Sequence, residues 1–401
     1  MCAAQLCRAA VALVGTRGAF GPIGGDLSAT KSNFVNEIDL AARHDARGEH
    51  DEAINALSRA TKNGDLEAMT QLGKRLLVGD RAPYMPEAGA SFILDAAKQG
   101  GGEAAAHLAV LVGVGAFVKQ SWNDALNILL TSAERGWKSA QDQICALASD
   151  RSLVEQAHSG NPSWDIWRKL MSTTDFSFWS NPPEAIQLSD SPVVRRFERL
   201  IPLAVCDWLI ERARTRLEPA RVYDAYAGEE TVSETRSNSA ASFNLAETDV
   251  VTLLVQTRMA AACGIPLAQF EAATTLHYAV GQQITDHFDF IDPRTPNYAE
   301  ERKTRGQRAI TFLIYLNDDY DGGETVFPKL GLSHKGRTGD GLYFVNALDN
   351  GEPDLRTVHA GRPPSQGEKF ILSQFIRDRA ILGAQPPEPA AKKQSRTMAS
   401  G

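Results

Sequence analysis

The stretch "RAITFLIYLN", residues 308–317, decides the character of the C-terminal half of the chain. It is dense in β-branched and aromatic side chains and apolar on both alternating faces. A half-exposed strand would alternate apolar with polar residues, so this one is expected inside a sheet, covered on both sides. Beyond it come "GETVFP", "GLYFVNAL" and "KFILSQFIR", separated by turn-forming runs such as "DDYDGG" and "LDNGEPD". Gly322 and Gly323 belong to that turn chemistry, not to a phosphate cradle. Several short strands at this spacing predict a β-sandwich or barrel.

On the N-terminal side lies "ITDHFDFID", residues 284–292. In a strand, His287 and Asp289 project from one face, and Phe288 and Phe290 from the other, into packing. The pair alone is weak. With eight histidines and 49 acidic residues in 401, about one H-x-[DE] arises by chance. "HDE" at 50–52 is such a coincidence, in a helical region where i and i+2 diverge. What strengthens the pair is His359 in "LRTVHAG", 72 residues further on. Two imidazoles and a carboxylate cover one face of an octahedral ion and leave three positions open, an arrangement that favours non-haem Fe(II) and oxygen chemistry. A closed zinc site needs a fourth protein ligand, and no neighbouring cysteine or paired histidine evidently supplies one. Ten residues after His359, Lys369 opens the strand "KFILSQFI". Inside a barrel its ammonium is costly to bury unpaired, and a dicarboxylate held by the metal at one end and by Lys369 at the other removes that cost. The ordinary alternative is a lysine exposed on a strand edge.

The ordered set "HYAVGQQITDHFDF", "RAITFLIYLN", "DGGETVFP", "GLYFVN", "TVHAG" and "GEKF" resembles the catalytic domain of the prolyl 4-hydroxylase branch of Fe(II)/2-oxoglutarate dioxygenases, over about residues 195–380. The resemblance implies a double-stranded β-helix (jelly roll) flanked by helices. It implies His287, Asp289 and His359 as iron ligands and catalytic residues, with Lys369 and Tyr278 binding 2-oxoglutarate. It further implies hydroxylation of a C–H bond, with succinate and CO2 as coproducts and L-ascorbate as reductant. "TRSNSAASF" (235–243) aligns with a family segment near the site mouth, and Arg308 with a basic position near the substrate; for Arg308 a solvated strand end is the alternative. The chain departs from the family at Gln374 and Phe375, where a tryptophan is frequent, and in "SAASF", which lacks a usual aromatic. These departures lie on the substrate side, so peptidyl proline stands beside a small molecule or a non-proline residue as substrate.

Residues 52–148 repeat. Gly64, Gly100 and Gly136 are spaced by 36, with Leu57, Ile93 and Leu129 seven before, Ala68, Ala104 and Ala140 four after, and Leu72, Leu108 and Ile144 eight after. Each unit predicts a helix, a glycine stop and a second helix. "ALSRATKNGDLEAMTQLGKRLLVG" resembles the Sel-one-like class of tetratricopeptide-related repeats. That resemblance implies a helical solenoid with a protein partner. Histidines outside the triad have ordinary expectations: His107 in a repeat-helix core, His277 structural, His334 in a surface turn.

The expected organisation is multidomain α + β: a poorly defined segment 1–35, a helical repeat domain 36–150, an aromatic-rich connector 151–190, a dioxygenase domain 191–384 and a disordered tail 385–401. The connector carries Trp164, Trp167 and Trp179, too much aromatic surface for a free linker, and is expected to pack. A helix is expected from Pro202, with Cys206, Leu209, Ile210 and Ala213 on one stripe. The polar stretch 292–308 reads as a loop placed to act as a mobile lid, with an ordinary surface loop as the alternative. A net charge of −7 without a Lys/Arg cluster sets nucleic acid aside as partner. No run of about 18 apolar residues occurs, so no membrane span is expected. Five scattered cysteines without a C-x-x-C pair point to a reducing, cytoplasmic setting. The run "AAVALVG" is at the short limit for a signal segment. Two other classes stay open: an interaction protein with a degenerate oxygenase domain, and a zinc hydrolase, for which no general base stands beside the triad.

Overall fold

The computed structural model describes residues 36–159, 163, 165–220, 222–224, 229–231, 236–292, 294–348 and 350–381. The segment 1–35, the tail and Trp164 lie outside the described residues. By contact the chain divides into two units. One comprises Met1–Pro183, Leu200–Leu209 and Phe243–Leu267; the other comprises Glu184–Arg199, Ile210–Ser242 and Ala268–Gly401.

In the first unit the repeat becomes three helix pairs: His50–Lys62 with Leu66–Val78, Pro86–Lys98 with Gly102–Val114, and Trp122–Glu134 with Lys138–Leu147. Gly64, Gly100 and Gly136 stand between the two helices of each pair at φ +84°, +104° and +87°. There an L side chain would be strained. The amide after each glycine donates back to the helix it has just left (Asp65 to Ala60, Gly101 to Ala96, Trp137 to Ser132), which satisfies carbonyls that the helix end would otherwise orphan. Leu57, Ile93, Leu129, Ala68, Ala104 and Ala140 are all fully buried, and His107 is buried as expected.

The connector forms short helices Arg151–Ala157, Ile166–Ser172 and Phe176–Ser180, with Trp179 buried and Trp167 half-buried. The Arg258 guanidinium lies 3.6 Å over the Phe178 ring. Arg258 belongs to the helix Val250–Cys263, which is apolar almost all round. Such a helix needs cover on every side, and it packs with the repeat helices: its first amide donates to Gln143 Oε1 at 3.0 Å. Two segments from within 191–384 thus group with the helical unit, and a strand from the connector stretch joins the sheet unit. The helix expected from Pro202 runs Leu203–Arg214, with Cys206, Leu209 and Ala213 buried.

The second unit holds the strands. In chain order they are β1 (Ile186–Asp190), β2 (Val193–Phe197), β3 (Glu218–Pro219), β4 (Val222–Asp224), β5 (Glu229–Thr231) and β6 (Ser239–Phe243). Then come β7 (Ala273–Tyr278), β8 (Ile284–His287), β9 (Arg308–Tyr315), β10 (Asp321–Gly322) and β11 (Thr325–Phe327). The last are β12 (Leu332–His334), β13 (Gly341–Val345), β14 (His359–Gly361), β15 (Pro364–Gln366) and β16 (Lys369–Arg377). The larger sheet has the order β1-β2-β13-β9-β16-β7-β6-β3 and the smaller one β12-β11-β14-β8; β10 pairs with β15, and β4 with β5. From β7 onward the chain winds between the two main sheets: β7, β9, β13 and β16 lie in the larger, β8, β11, β12 and β14 in the smaller. That winding is the double-stranded β-helix, or jelly roll. Leu276, Leu313, Leu342 and Ile371 from the larger sheet and Ile284 and Phe327 from the smaller share one core cluster. The stretch 308–317 provides β9, between β13 and β16, which explains its apolar faces.

Two expectations change. The 292–308 stretch is not an open loop: it carries the helix Pro296–Arg305, with Pro296 in its first turn, where the missing N–H costs nothing. The helix stops at Gly306 (φ +79°), and a Cβ there would strike the Asp378 carboxylate. The base of the excursion is closed by Gln307, whose amide accepts from Ile291 N–H at 2.6 Å and donates to Ile291 O at 2.9 Å. His334 lies in β12 rather than a turn, with its ring edge-on to Tyr315 at 5.5 Å. Turn-like glycines on either side hid a strand of only three residues.

Candidate active site

Strands β8 and β14 are neighbours, and their register sets His287 opposite His359. The Nδ1 atom of His287 lies 2.8 Å from Thr285 O, and that of His359 lies 3.0 Å from Thr357 O. Each ring therefore donates Nδ1–H to a carbonyl, which fixes the tautomer and leaves an Nε2 lone pair for a ligand. Both Nε2 atoms converge on Asp289: His287 at 3.5 Å from Oδ1, His359 at 3.3 Å from Oδ2. The ligand atoms of the three residues lie within 4.8 Å of one another. Burial pushes the Asp289 carboxyl up, but His359 and His287 outweigh it and hold the group well below the usual range. For His287 burial acts downward, and Asp289 reverses it to a net rise. Two ring nitrogens and a buried carboxylate around one point fit Fe(II) as the facial set of three.

Strand β8 ends at His287, and Asp289, two residues on, still lies on the side of His287. Phe288 is 41% exposed, not packed inward, whereas Phe290 is buried with its ring 4.7 Å from that of Phe288. Asp289 is held by the Thr311 hydroxyl, which donates to Oδ2 at 2.8 Å. One sign of this stands in the sequence, a threonine inside the apolar core of β9. Arg236, bridged to Ile284 across the strand, is also near enough to act electrostatically on His287 and Tyr278. It lies in the "TRSNSAASF" segment without having stood out there.

Lys369 opens β16 in register with Tyr278 on β7, in the interior of the sheet. It is not an edge lysine: its side chain is fully buried, and Nζ donates to Gly323 O at 2.6 Å. Nζ sits 5.0 Å from the Tyr278 ring centroid. Burial pushes the ammonium down to about 7. Tyr278 is itself buried, and burial raises its phenol above the ordinary value.

At the far end of β16, alternate residues along one face lead to Phe375 and Arg377, roughly 20 and 26 Å from Lys369 at strand rise. Arg308 is half-buried and paired there. It forms two hydrogen bonds to Glu271, at 2.8 and 3.0 Å, and lies 4.0 Å over the Phe375 ring. The fully buried Arg377 reaches Glu271, Glu301 and Gly306 O, which ties the 296–305 helix to the sheet. Burial raises the Glu271 carboxyl, but Arg308 and Arg377 prevail and bring it to about 2. Its stabilising contribution is therefore present above about 4.5 and is lost as pH falls toward 2. Glu271→Gln removes the carboxylate shared by the buried Arg377, which keeps Glu301, and the half-buried Arg308, and we expect a loss of about 3 kcal/mol, checked by the urea midpoint. Gln374 is fully buried and donates to Glu271 O and Phe375 O at 2.8 and 2.9 Å.

The family model of the 2OG-Fe(II) oxygenase superfamily matches residues 273–377, from the start of β7 to the end of β16. Probable prolyl 4-hydroxylase 7 of Arabidopsis thaliana is 31% identical over 246 residues, 57% of this chain and 74% of that protein. Probable prolyl 4-hydroxylase 6 of the same plant is 31% identical over 227 residues, 52% of this chain and 77% of its own. The chain belongs to the prolyl 4-hydroxylase family of 2OG-Fe(II) oxygenases. Its kinship with the prolyl 4-hydroxylase subunit alpha-1 of Gallus gallus is narrower: 32% identity over 190 residues, 47% of this chain and 36% of that subunit. As a member of this family it is an iron- and 2-oxoglutarate-dependent dioxygenase. His287, Asp289, His359, Lys369 and Tyr278 all fall within the matched stretch.

Proposed function

We propose that His287, Asp289 and His359 bind Fe(II), that Lys369 and Tyr278 hold 2-oxoglutarate, and that the enzyme hydroxylates a peptidyl proline. The observation that carries this reading is a buried lysine with no carboxylate at ion-pair distance among the described residues, in the same barrel as three convergent ligand side chains. With 2-oxoglutarate and dioxygen, bound Fe(II) supplies oxidative decarboxylation to succinate and CO2 and hydroxylation of a C–H bond. The chain supplies the rest. Lys369 presents an ammonium to the distal carboxylate, which restores the charge that burial disfavours. Tyr278, opposite it in register, offers a phenol hydroxyl that burial keeps protonated, and hence a donor. The apolar cluster around them, including Ile284, Leu313, Phe327 and Ile371, excludes water from the cosubstrate.

A small molecule or a non-proline residue is the second reading for the substrate. It is supported by Gln374 and Phe375 standing where the family frequently has a tryptophan, with Phe375 under the Arg308 guanidinium. L-Ascorbate is proposed as the rescuing reductant, and the helix pairs as a docking surface for a protein partner. The described cysteines Cys145, Cys206 and Cys263 form no disulfide, which supports a cytoplasmic setting. No helix among the described residues is long and apolar enough to cross a membrane.

Anaerobic titration with Fe(II) and 2-oxoglutarate should produce a weak visible charge-transfer band; no band at saturating concentrations counts against the metal reading. Proline-containing peptides incubated with the loaded enzyme should gain one oxygen atom by mass spectrometry. If succinate is released while only small molecules or other residues gain oxygen, the second reading replaces the first.

A further inference from the structure

Asp289 is the one ligand of the three that a strand does not hold, so its carboxylate needs another constraint. Thr311 on β9 donates its hydroxyl proton to Oδ2 at 2.8 Å, and Asn346 Nδ2 donates to Thr311 Oγ1 at 2.9 Å. Thr311 and Asn346 are both buried, Asn346 completely. Asn346 stands just past β13, and its backbone is tied on both sides: its N–H donates to Ala309 O at 2.7 Å, and its carbonyl accepts from Asp354 N–H at 2.9 Å. The direction of the relay follows from chemistry. An ionised carboxylate has no proton to give, so the single hydroxyl proton of Thr311 goes to Asp289. The hydroxyl oxygen is then left as acceptor, and the NH2 of Asn346 must face it.

We infer that Thr311 and Asn346 are positioning residues of the metal centre, a buried relay that holds the Asp289 carboxylate in its orientation toward the two imidazoles. The inference rests on the ligand assignment proposed above. Its functional content is orientation. Held by a hydroxyl whose own oxygen accepts from Asn346, the carboxylate cannot swing away from the imidazoles without leaving Thr311 unpaired in a dry interior.

The test uses Co(II) as probe, with its affinity for the full-length protein and its visible spectrum as readouts. Thr311→Val keeps the shape and removes the hydroxyl; it should weaken Co(II) binding by about tenfold or more and alter the spectrum. Thr311→Ser restores the hydroxyl and should restore both readouts. Wild-type affinity and spectrum in Thr311→Val would overturn the inference. So would equal impairment of Val and Ser, which would mark a packing role only. If Thr311→Val does not fold, Asn346→Ser decides: a weaker loss in the same direction supports the relay, and no change refutes it. Asp289→Ala separates the two levels. Unaltered Co(II) affinity there defeats the ligand assignment itself, whereas lost affinity there with none lost in Thr311→Val defeats only the relay.

Discussion

Asp289→Ala is expected to reduce iron-dependent succinate release by more than about 100-fold, since losing a ligand exceeds the 10- to 100-fold effect typical of groups one step removed from a metal. The structure makes Asp289 the hub. It is the common partner of both imidazoles, at 3.5 and 3.3 Å, and its ligand atom completes the cluster. Alanine leaves two imidazole rings with centroids 4.2 Å apart and no carboxylate to balance a dication. The repeat helices share no residue with this site, so their far-ultraviolet circular dichroism should be retained. Normal turnover of 2-oxoglutarate by a folded Asp289→Ala protein would end the assignment.

Lys369→Ala is expected to raise the apparent KM for 2-oxoglutarate on the order of 100-fold, the equivalent of about 3 kcal/mol for one half of a buried charge pair. The group also makes a pH prediction. Its ordinary value is 10.5, and burial brings it to about 7. Between those limits the unfolded chain binds the proton that the folded chain does not, so the stability of the unliganded protein rises with pH across that window. Below about 7 both states are protonated and the full penalty, a few kcal/mol, is present. Lys369→Met should consequently stabilise the unliganded protein at pH 6 while it disables cosubstrate binding. Affinity for the dianionic cosubstrate runs the opposite way. It depends on the charged amine and should fall as pH rises above about 7, a trend that calorimetric titration from pH 6 to 9 would reveal. A pH-independent affinity, or an unchanged KM in Lys369→Ala, would remove Lys369 from the cosubstrate site.

Much of this was legible in the order of the residues. The period of 36 between Gly64, Gly100 and Gly136 predicted three helix pairs because a left-handed cap tolerates glycine almost alone. The doubly apolar 308–317 stretch predicted a central strand because only a strand covered on both faces gains from such a composition. His287, Asp289, His359 and Lys369 stood out because ligand chemistry and buried charge each demand particular residue types. Local pattern was less useful where a short range of sequence can satisfy more than one conformation. The polar 292–308 stretch read as a loop, yet Gln307, Glu301 and Arg377 anchor it as a helix through contacts that no window of sequence contains.

By itself, then, the sequence determined which elements exist and which side chains have the chemistry for a metal and an anion, because periodicity, capping and ligand type are properties of short segments. Only the tertiary structure decided how Asp289 reaches the two imidazoles after its strand has ended, that Thr311 and Asn346 stand behind it, and that Lys369 is sealed inside rather than set on an edge. Those facts depend on register between strands far apart in the chain. Register is fixed by the packing of two sheets upon one core, which involves all the strands at once.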